Sequence, residues 1–277
     1  MKFIKETITS RNNQLVKWAA SLSEKKCRNA EKAFIIEGEK LTFEALDSEL
    51  PVSHLFVCES KWEKNAERLK RYEKSEKYEN TTVICLSEGV FEKISSEKSP
   101  QGIISVLKYL DFFNNIDIIY KEEFFLEPDE KALMLYSVRD PGNLGAIIRS
   151  AVAFGIKHII LSSDCADVYN SRTVRAAMGS LFKIRITTVA DFASVIDAAK
   201  TNGRRIFAAE LTDNAVAIDK VGLRAGDIFI IGNEGHGIDK SISALATGSV
   251  FIPICPETES LNASVAASVL MWEIGKL

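Results

Sequence analysis

Three short blocks decide the fold: DPGNLGAIIRSA at Asp140–Ala151, IIGNEGHGI at Ile230–Ile238 and IPICPETESLNAS at Ile252–Ser264. Each block places Gly, Asn and a few ionisable side chains at the end of an apolar run. In α/β folds this is where a strand gives way to a loop or helix, and ligands bind there because the carboxyl ends of parallel strands meet at one edge. The blocks therefore predict a ligand site at the carboxyl edge of a sheet.

From residue 132 onward, apolar runs alternate with segments of helical periodicity. The strand candidates are ALMLYSV, HIILS, FKIRITTV, RRIFAAEL, DIFIIG and SVFIPI. The helix candidates are Leu144–Phe154, Val168–Met178, DFASVIDAAKTNG from Asp191, Asp239–Ala246 and Ser264–Lys276. This alternation predicts an α/β fold with a mostly parallel sheet and helices on both of its faces.

The first 108 residues predict a second, smaller α/β unit. Its strand candidates are 33–38, 54–58, 81–86 and 102–108, and its helix candidates are 11–31, 39–47 and 61–78. Residues 109–131 mix aromatic and acidic side chains and contain the turn signal Pro128-Asp129, which indicates a linker. The expected domains are therefore 1–108 and 132–277.

The net charge of −3 over 277 residues gives no global attraction to a polyanion. Residues 1–35, however, carry eight basic and three acidic side chains, a local charge of +5. Such a run is either a solvated helix face or an arm that contacts RNA. For the second case, the expected phosphate contacts are Arg11, Lys25, Lys26 and Arg28.

Neither a disulfide framework nor a metal site is indicated. The five cysteines are far apart and form no CxxC pair, and the three histidines lie in separate segments without ligand spacing. No apolar stretch approaches the roughly 20 residues of a membrane span, and the N-terminus lacks the apolar core of a signal peptide. We expect a cytoplasmic protein with no membrane partner.

The first and third blocks each lead into a helix. Asp140-Pro141-Gly142 predicts a tight turn with Asn143 as the N-cap of the following helix, and Arg149 lies on the flank of that helix's apolar face. In the third block, Ser260 or Asn262 is either an N-cap or a ligand contact.

The second block must be distinguished from a dinucleotide fingerprint. Its glycines run GxxGxG, the reverse of the expected order, which disfavours a nucleotide-dependent oxidoreductase. What remains is a loop whose bare backbone can approach a flat ligand, with Glu234 projecting from it.

Taken together and in this order, the three blocks resemble the SpoU/TrmH branch of the SPOUT superfamily of RNA methyltransferases. RAAMGSLFKI at Arg175–Ile184 is also similar to this branch. Phe34–Leu46 and Ser99–Val106 look like its N-terminal, ribosomal-protein-like RNA substrate-binding domain.

The resemblance implies a deep trefoil knot in residues 132–277, with S-adenosylmethionine bound in a bent shape near Gly232, Ile252 and Leu261. It also implies a homodimer formed through the knotted domain. Pro256 departs from the family, which usually has Gly there, and proline removes both a donor and the left-handed backbone. The implied residues for catalysis and for ribose or phosphate contact are Asn143, Arg149, Glu234, Ser260 and Asn262.

The implied reaction is methylation of a ribose 2'-hydroxyl, which requires alignment of three atoms and removal of a proton. The family is described with the first-block arginine, here Arg149, as the base. A guanidinium is permanently charged, so our hypothesis gives Arg149 an electrostatic role and assigns the proton to Glu234 or to a phosphate oxygen.

Ribosomal RNA is the expected substrate, because the N-terminal extension is longer than tRNA-specific relatives often carry. A tRNA substrate is the nearest alternative. A catalytically silent RNA-binding or ribosome-assembly protein on the same fold is a second alternative, which Pro256 keeps open.

Overall fold

The computed structural model describes residues 1–110, 117–119, 126–127 and 129–277. The chain forms two compact units, Met1–Leu110 with Tyr169–Arg175, and Asp111–Val168 with Ala176–Leu277. Most of the predicted linker 109–131, including the predicted turn at Pro128, lies outside the described residues. Among those that are described, no helix combines the length and apolar character needed to cross a bilayer.

The first unit is built on a mixed sheet with the strand order β1-β4-β3-β5-β2. Its strands are β1 Lys2–Ile8, β2 Ala33–Glu37, β3 Val52–Cys58, β4 Thr82–Leu86 and β5 Ile103–Lys108. Its helices are α1 Gln14–Ser21, α2 Lys25–Glu31, α3 Glu39–Asp47, α4 Trp62–Leu69 and α5 Glu88–Ile94. Strands β1 and β3 run parallel to β4, whereas β5 is antiparallel to β3 and β2.

Several predicted elements of this unit are corrected. The helix expected over 61–78 ends at Leu69, and short 3-10 turns at Lys70–Tyr72 and Glu76–Tyr78 follow it. The segment 11–31 forms two helices, because the chain turns after Leu22. Strand β1 and helix α5 were not predicted from the sequence. Strand β1 lies at the edge of the sheet, and its residues show no regular alternation of buried and exposed positions.

The second unit contains an eight-stranded sheet with the order β11-β13-β10-β12-β7-β8-β9-β6, and every pair of neighbours described in it is parallel. The strands are β6 Asp117–Ile119, β7 Ala132–Leu135, β8 His158–Ser162, β9 Arg185–Val189, β10 Ile206–Ala209, β11 Val216–Ala217, β12 Ile228–Ile231 and β13 Gly248–Phe251. The helices are α6 Pro141–Ala153, α8 Phe192–Thr201, α9 Lys240–Ser243 and α10 Ala263–Gly275, and α7 Ser171–Ala177 is divided between the units, since Tyr169–Arg175 belong to the first. The predicted α/β fold with a parallel sheet is confirmed.

The central strands carry the core of this sheet. Every residue of β7, β8 and β12 is buried, as their nearly continuous apolar sequences require for strands covered on both faces. In the register, Leu135 pairs with Ile231 and with Leu161, so the three strands end at the same level. The loops that follow them therefore share one edge.

We expect Ile230→Ala to lower the free energy of unfolding by about 2–5 kcal/mol, because it leaves a cavity in a fully buried position. The matched control is Leu211→Ala, at a side chain that is 79% exposed, for which the change should stay within about 0.5 kcal/mol. Urea unfolding curves measure both. Equal losses in the two variants would contradict the assigned core.

Candidate active site

The first and second blocks lie side by side at the carboxyl edge of the parallel sheet. Strand β7 leads into the first block and β12 into the second, and these strands are neighbours. The backbone N–H of Tyr136 continues their ladder by donating to the Ile231 carbonyl at 2.8 Å. The two loops therefore begin in contact.

The Glu234 carboxylate joins the second block to the first. Its Oε2 accepts a hydrogen bond from the backbone N–H of Arg139 at 3.2 Å, and its Oε1 accepts one from the backbone N–H of Asp140 at 3.1 Å. The side-chain amide of Asn143 donates to the same Oε1 at 3.0 Å. One carboxylate thus fixes the turn that leads from β7 into α6.

Asn262 adds the third block to this arrangement. Its Nδ2 donates to Oδ1 of Asn143 at 3.0 Å, while its own Oδ1 accepts from the backbone N–H of Ser264 at 2.8 Å. Asn262 is the N-cap of α10, as one of the two sequence interpretations held. The side chains of Glu234, Asn143 and Asn262 therefore form one hydrogen-bonded chain, the three-block chain, across segments distant in sequence.

The predicted N-cap of α6 was wrong. The helix begins at Pro141, and the Oδ1 of Asp140 accepts from the backbone N–H of Asn143 at 2.9 Å, which makes Asp140 the cap. Proline is favoured at the first helical position because it lacks the N–H that would go unpaired there. The side chain of Asn143 is thereby free to bridge Glu234 and Asn262.

Glu234 is held in its charged form. Burial alone would raise the pKa of this carboxyl, but hydrogen bonds from Asn143, then from the backbone at Asp140 and Arg139, lower the pKa below its usual value. A carboxylate with a lowered pKa accepts a proton poorly at neutral pH. Its surroundings suit a fixed acceptor better than a general base.

Sequence reasoning missed Ser137, which holds three strand ends together. Its backbone lies in the left-handed region at φ 56°, and its N–H donates to Ser162 Oγ at 2.8 Å. Its hydroxyl donates to Asp164 Oδ2 at 2.6 Å, and its carbonyl accepts from the side chain of Asn233 at 2.7 Å. Serine is not a residue type that predicts a left-handed backbone. The only sequence hint is the segment Ser162-Ser163-Asp164 at the end of β8, which contains two of the partners of Ser137.

Arg149 and Ser260 stay outside the three-block chain. Arg149 is exposed on the flank of α6, as its position beside the apolar face predicted. Neither residue makes a hydrogen bond or salt bridge with any residue that the structure describes, and both face solvent. Arg149 is thus an exposed cation without a partner among the described residues, and it lies on α6, the helix that follows the turn fixed by Glu234.

The three positions expected around a cofactor follow strand ends or adjoin the cap of α10. A Cβ at Gly232 would lie 2.5 Å from the carbonyl carbon of Gly237, so only glycine allows the close turn after β12. Ile252 follows β13, and Leu261 precedes Asn262. Residues 253–260, which include Pro256, are exposed.

The N-terminal basic residues divide into two groups. Lys25 and Lys26 are exposed, and Arg11 is partly engaged because its Nε donates to the Gly89 carbonyl at 2.8 Å. Arg28 is corrected: it is only 3% exposed, and its Nη1 donates to the carbonyls of Leu22 and Ser23 at 2.9 and 2.6 Å. Arg28 closes the end of α1 and presents no charge to a phosphate.

Residues 130–272 match the SpoU rRNA Methylase family, and residues 13–105 match the MRM3-like substrate binding domain. The chain is 31% identical over 267 residues to the 23S rRNA (guanosine(2553)-2'-O)-methyltransferase RlmP of Bacillus subtilis, covering 96% of this chain and 98% of that protein. It is 26% identical over 274 residues to a 23S rRNA (uridine(2479)-2'-O)-methyltransferase of Streptomyces viridochromogenes, covering 96% and 90%.

Among solved structures, the chain is similar to an AdoMet-bound rRNA methyltransferase from Sinorhizobium meliloti. That similarity has a TM-score of 0.81 at 27% identity and covers 98% of this chain and 97% of the other. The likeness therefore extends over both units of the chain.

We expect Glu234→Gln to lower the free energy of unfolding by about 1 kcal/mol at pH 7, because the amide cannot accept all three donors. Since the folded-state pKa of Glu234 is lowered, its contribution is present at neutral pH and is lost as the pH falls through that pKa. Urea unfolding at pH 7 and at a series of acidic pH values should show the stability difference between the variant and the wild type shrinking as the pH falls. The control is Glu259→Gln, at an exposed carboxylate, and an equal effect there would contradict the bridging role.

Proposed function

The chain belongs to the SpoU rRNA methylase family, and we propose that it uses the three-block chain to organise methyl transfer to a ribose 2'-hydroxyl of ribosomal RNA. It is an S-adenosylmethionine-dependent RNA methyltransferase. The hydrogen bonds that connect Glu234, Asn143 and Asn262 carry the proposal, because they gather the three blocks at one edge of the sheet.

S-adenosylmethionine supplies an electrophilic methyl group on a sulfonium. Gly232, Ile252 and Leu261, with the exposed backbone of 253–260, are the proposed contacts that hold it. Pro256 offers no N–H, so the cofactor contacts at this position must differ from those of relatives with Gly. The bare backbone at Gly232 suits the approach of a flat ring.

The proposed fold of the second unit includes the trefoil knot of the family. It is supported by the return of the last segment to the first block: Ser268 Oγ in α10 donates to Ser150 Oγ in α6 at 2.8 Å, and Asn262 donates to Asn143. These contacts bind the end of the chain to residues more than a hundred positions earlier.

The proposed role of Arg149 is electrostatic. A guanidinium remains protonated in proteins, so it cannot remove the hydroxyl proton at neutral pH. Its exposure allows it to pair with a substrate phosphate and to stabilise the developing alkoxide, a role typically worth about 3 kcal/mol. Ser260, also exposed, is a proposed contact to ribose or phosphate.

The proton is proposed to leave to a phosphate oxygen of the substrate. Of the two acceptors considered from the sequence, Glu234 is the weaker, because its three donors and its lowered pKa keep it charged and occupied. Glu234 and Asn262 then act as positioning residues that set the geometry of Asn143 and of the turn before α6.

The proposed domain organisation is an RNA substrate-binding domain at 1–108, a linker at 109–131 and a methyltransferase domain at 132–277. Ribosomal RNA as the substrate is supported by the relatives named above, which match both parts of the chain. Lys25, Lys26 and Arg11 are the proposed phosphate contacts. A ribosomal substrate accords with action in the cytoplasm.

A homodimer through α10 is part of the proposal. Val265 and Trp272 on this helix are 48% and 53% exposed, although both are apolar. Trp272 packs edge-on against Phe154, with ring centroids 5.8 Å apart, so its exposed face is held in place. An apolar face of this kind suits a second copy of the chain.

We expect Arg149→Lys to retain substantial 2'-O-methylation of ribosomal RNA and Arg149→Ala to lose roughly 100-fold in kcat, because lysine keeps the charge. The assay is incorporation of labelled methyl groups from S-adenosylmethionine, followed by mapping of 2'-O-methyl sites. Equal inactivity of both variants would reject a role that depends on charge alone. If the wild-type protein methylates only tRNA, then tRNA and not ribosomal RNA is the substrate.

The double variant Lys25→Ala with Lys26→Ala should weaken RNA binding and reduce the salt slope of log K by about 1–2, because two phosphate contacts are lost. Affinity for S-adenosylmethionine should not change. The matched control is Lys74→Ala with Lys77→Ala, which removes the same charge from the acid-rich segment after α4. If the control lowers the slope equally, the effect belongs to net charge and the assigned patch is wrong.

A further inference from the structure

Glu210 occupies a position at the carboxyl edge that the proposed function does not use. It is the first residue after β10, and β10 lies between β12 and β13 in the sheet. Ala208 pairs with Ile230, so the same register, continued by two residues, sets Glu210 level with Gly232. On the other side, the Glu210 backbone N–H donates to the Val250 carbonyl at 3.0 Å, two residues before Ile252.

The carboxylate of Glu210 is oriented through one oxygen only. Its Oε1 accepts from the hydroxyl of Ser249 in β13 at 2.6 Å and from the hydroxyl of Ser243 in α9. Its Oε2 accepts no hydrogen bond from the residues that the structure describes, and no lysine or arginine among them forms a salt bridge with Glu210. The second oxygen therefore keeps its acceptor capacity.

Removing a carboxylate from water costs free energy unless hydrogen-bond donors or a cation replace the water. Glu210 is half-buried and has no cation among the described residues, so further donors would stabilise it. Two hydroxyls from separate elements fix its rotamer, which is how a binding group is pre-organised. In parallel sheets that bind nucleosides, a carboxylate at a strand end recognises ribose hydroxyls. An adenosyl ribose offers two such donors.

We propose that Glu210 binds the ribose 2'- and 3'-hydroxyls of the adenosyl group, with Ser243 and Ser249 as its positioning residues. This inference rests on the proposed function, because it requires the cofactor to lie between the ends of β12 and β13. The backbone contacts of the second and third blocks would then hold the remainder of the cofactor, and the Glu210 side chain would add selectivity for an intact ribose.

The test is calorimetry on the full chain with two ligands. S-adenosylhomocysteine contains the adenosine and the amino acid, whereas 5'-methylthioadenosine keeps the adenosine and lacks the amino acid. Glu210→Ala should weaken both by a similar factor of about 10, and Glu210→Gln by less, because the amide keeps one acceptor oxygen. Ser249→Ala should give an intermediate loss, and Glu76→Ala, at an exposed carboxylate of the first unit, should give none.

A third ligand isolates the ribose contact. The wild type should bind 3'-deoxy-5'-methylthioadenosine more weakly than 5'-methylthioadenosine, and this preference should disappear in Glu210→Ala, as a ligand–protein mutant cycle requires. A preserved preference, or unchanged affinities, would overturn the inference. A loss confined to S-adenosylhomocysteine would also overturn it, because the carboxylate would then contact the amino acid.

Failure of this inference and failure of the proposed function give different results. If the wild type binds neither adenosyl ligand, the proposed function fails. If the wild type binds both and Glu210→Ala binds them equally well, only the role of Glu210 fails. Circular dichroism of each variant establishes that it is folded, and Glu210→Gln and Ser249→Ala decide the outcome if Glu210→Ala is not.

Discussion

The arrangement of the site depends on one charged group, the carboxylate of Glu234. It accepts hydrogen bonds from the backbone N–H groups of Arg139 and Asp140 and from the side-chain amide of Asn143. Because Asn143 is held on one side by Glu234, its oxygen is presented to Asn262 on the other. The third block is therefore ordered indirectly by a charge in the second.

The anionic Glu234 and the cationic Arg149 have different roles in the site. Glu234 accepts three hydrogen bonds from the first block and fixes its turn, whereas Arg149 has no partner among the described residues and remains available for substrate. One neutral side chain, that of Asn143, separates the fixed anion from Asn262 of the third block. The local geometry can thus be maintained without consuming the cation that the reaction needs.

Much of the parallel sheet was predictable because its strands are short and apolar, and because the three blocks mark where those strands end. Local signals failed where tertiary contacts decide the outcome. Asn143 is a residue type that favours the N-cap, but Asp140 is the cap and Pro141 is the first residue of the helix. Arg28 was predicted to be a surface cation, but its guanidinium is buried against the carbonyls that follow α1. Strand β1, at the edge of its sheet, is specified by pairing with β4 more than by its own sequence.

The left-handed backbone of Ser137 links the site to the order in which the chain assembles. Its backbone partners lie 25 positions later in Ser162 and 96 positions later in Asn233, so the full set of contacts requires β7, β8 and β12 to be adjacent. Contacts of such long range form late, since loop closure must precede them. A chain in which β7, β8 and β12 have not yet paired therefore lacks this arrangement of loops, and cofactor binding would report that these three strands have come together.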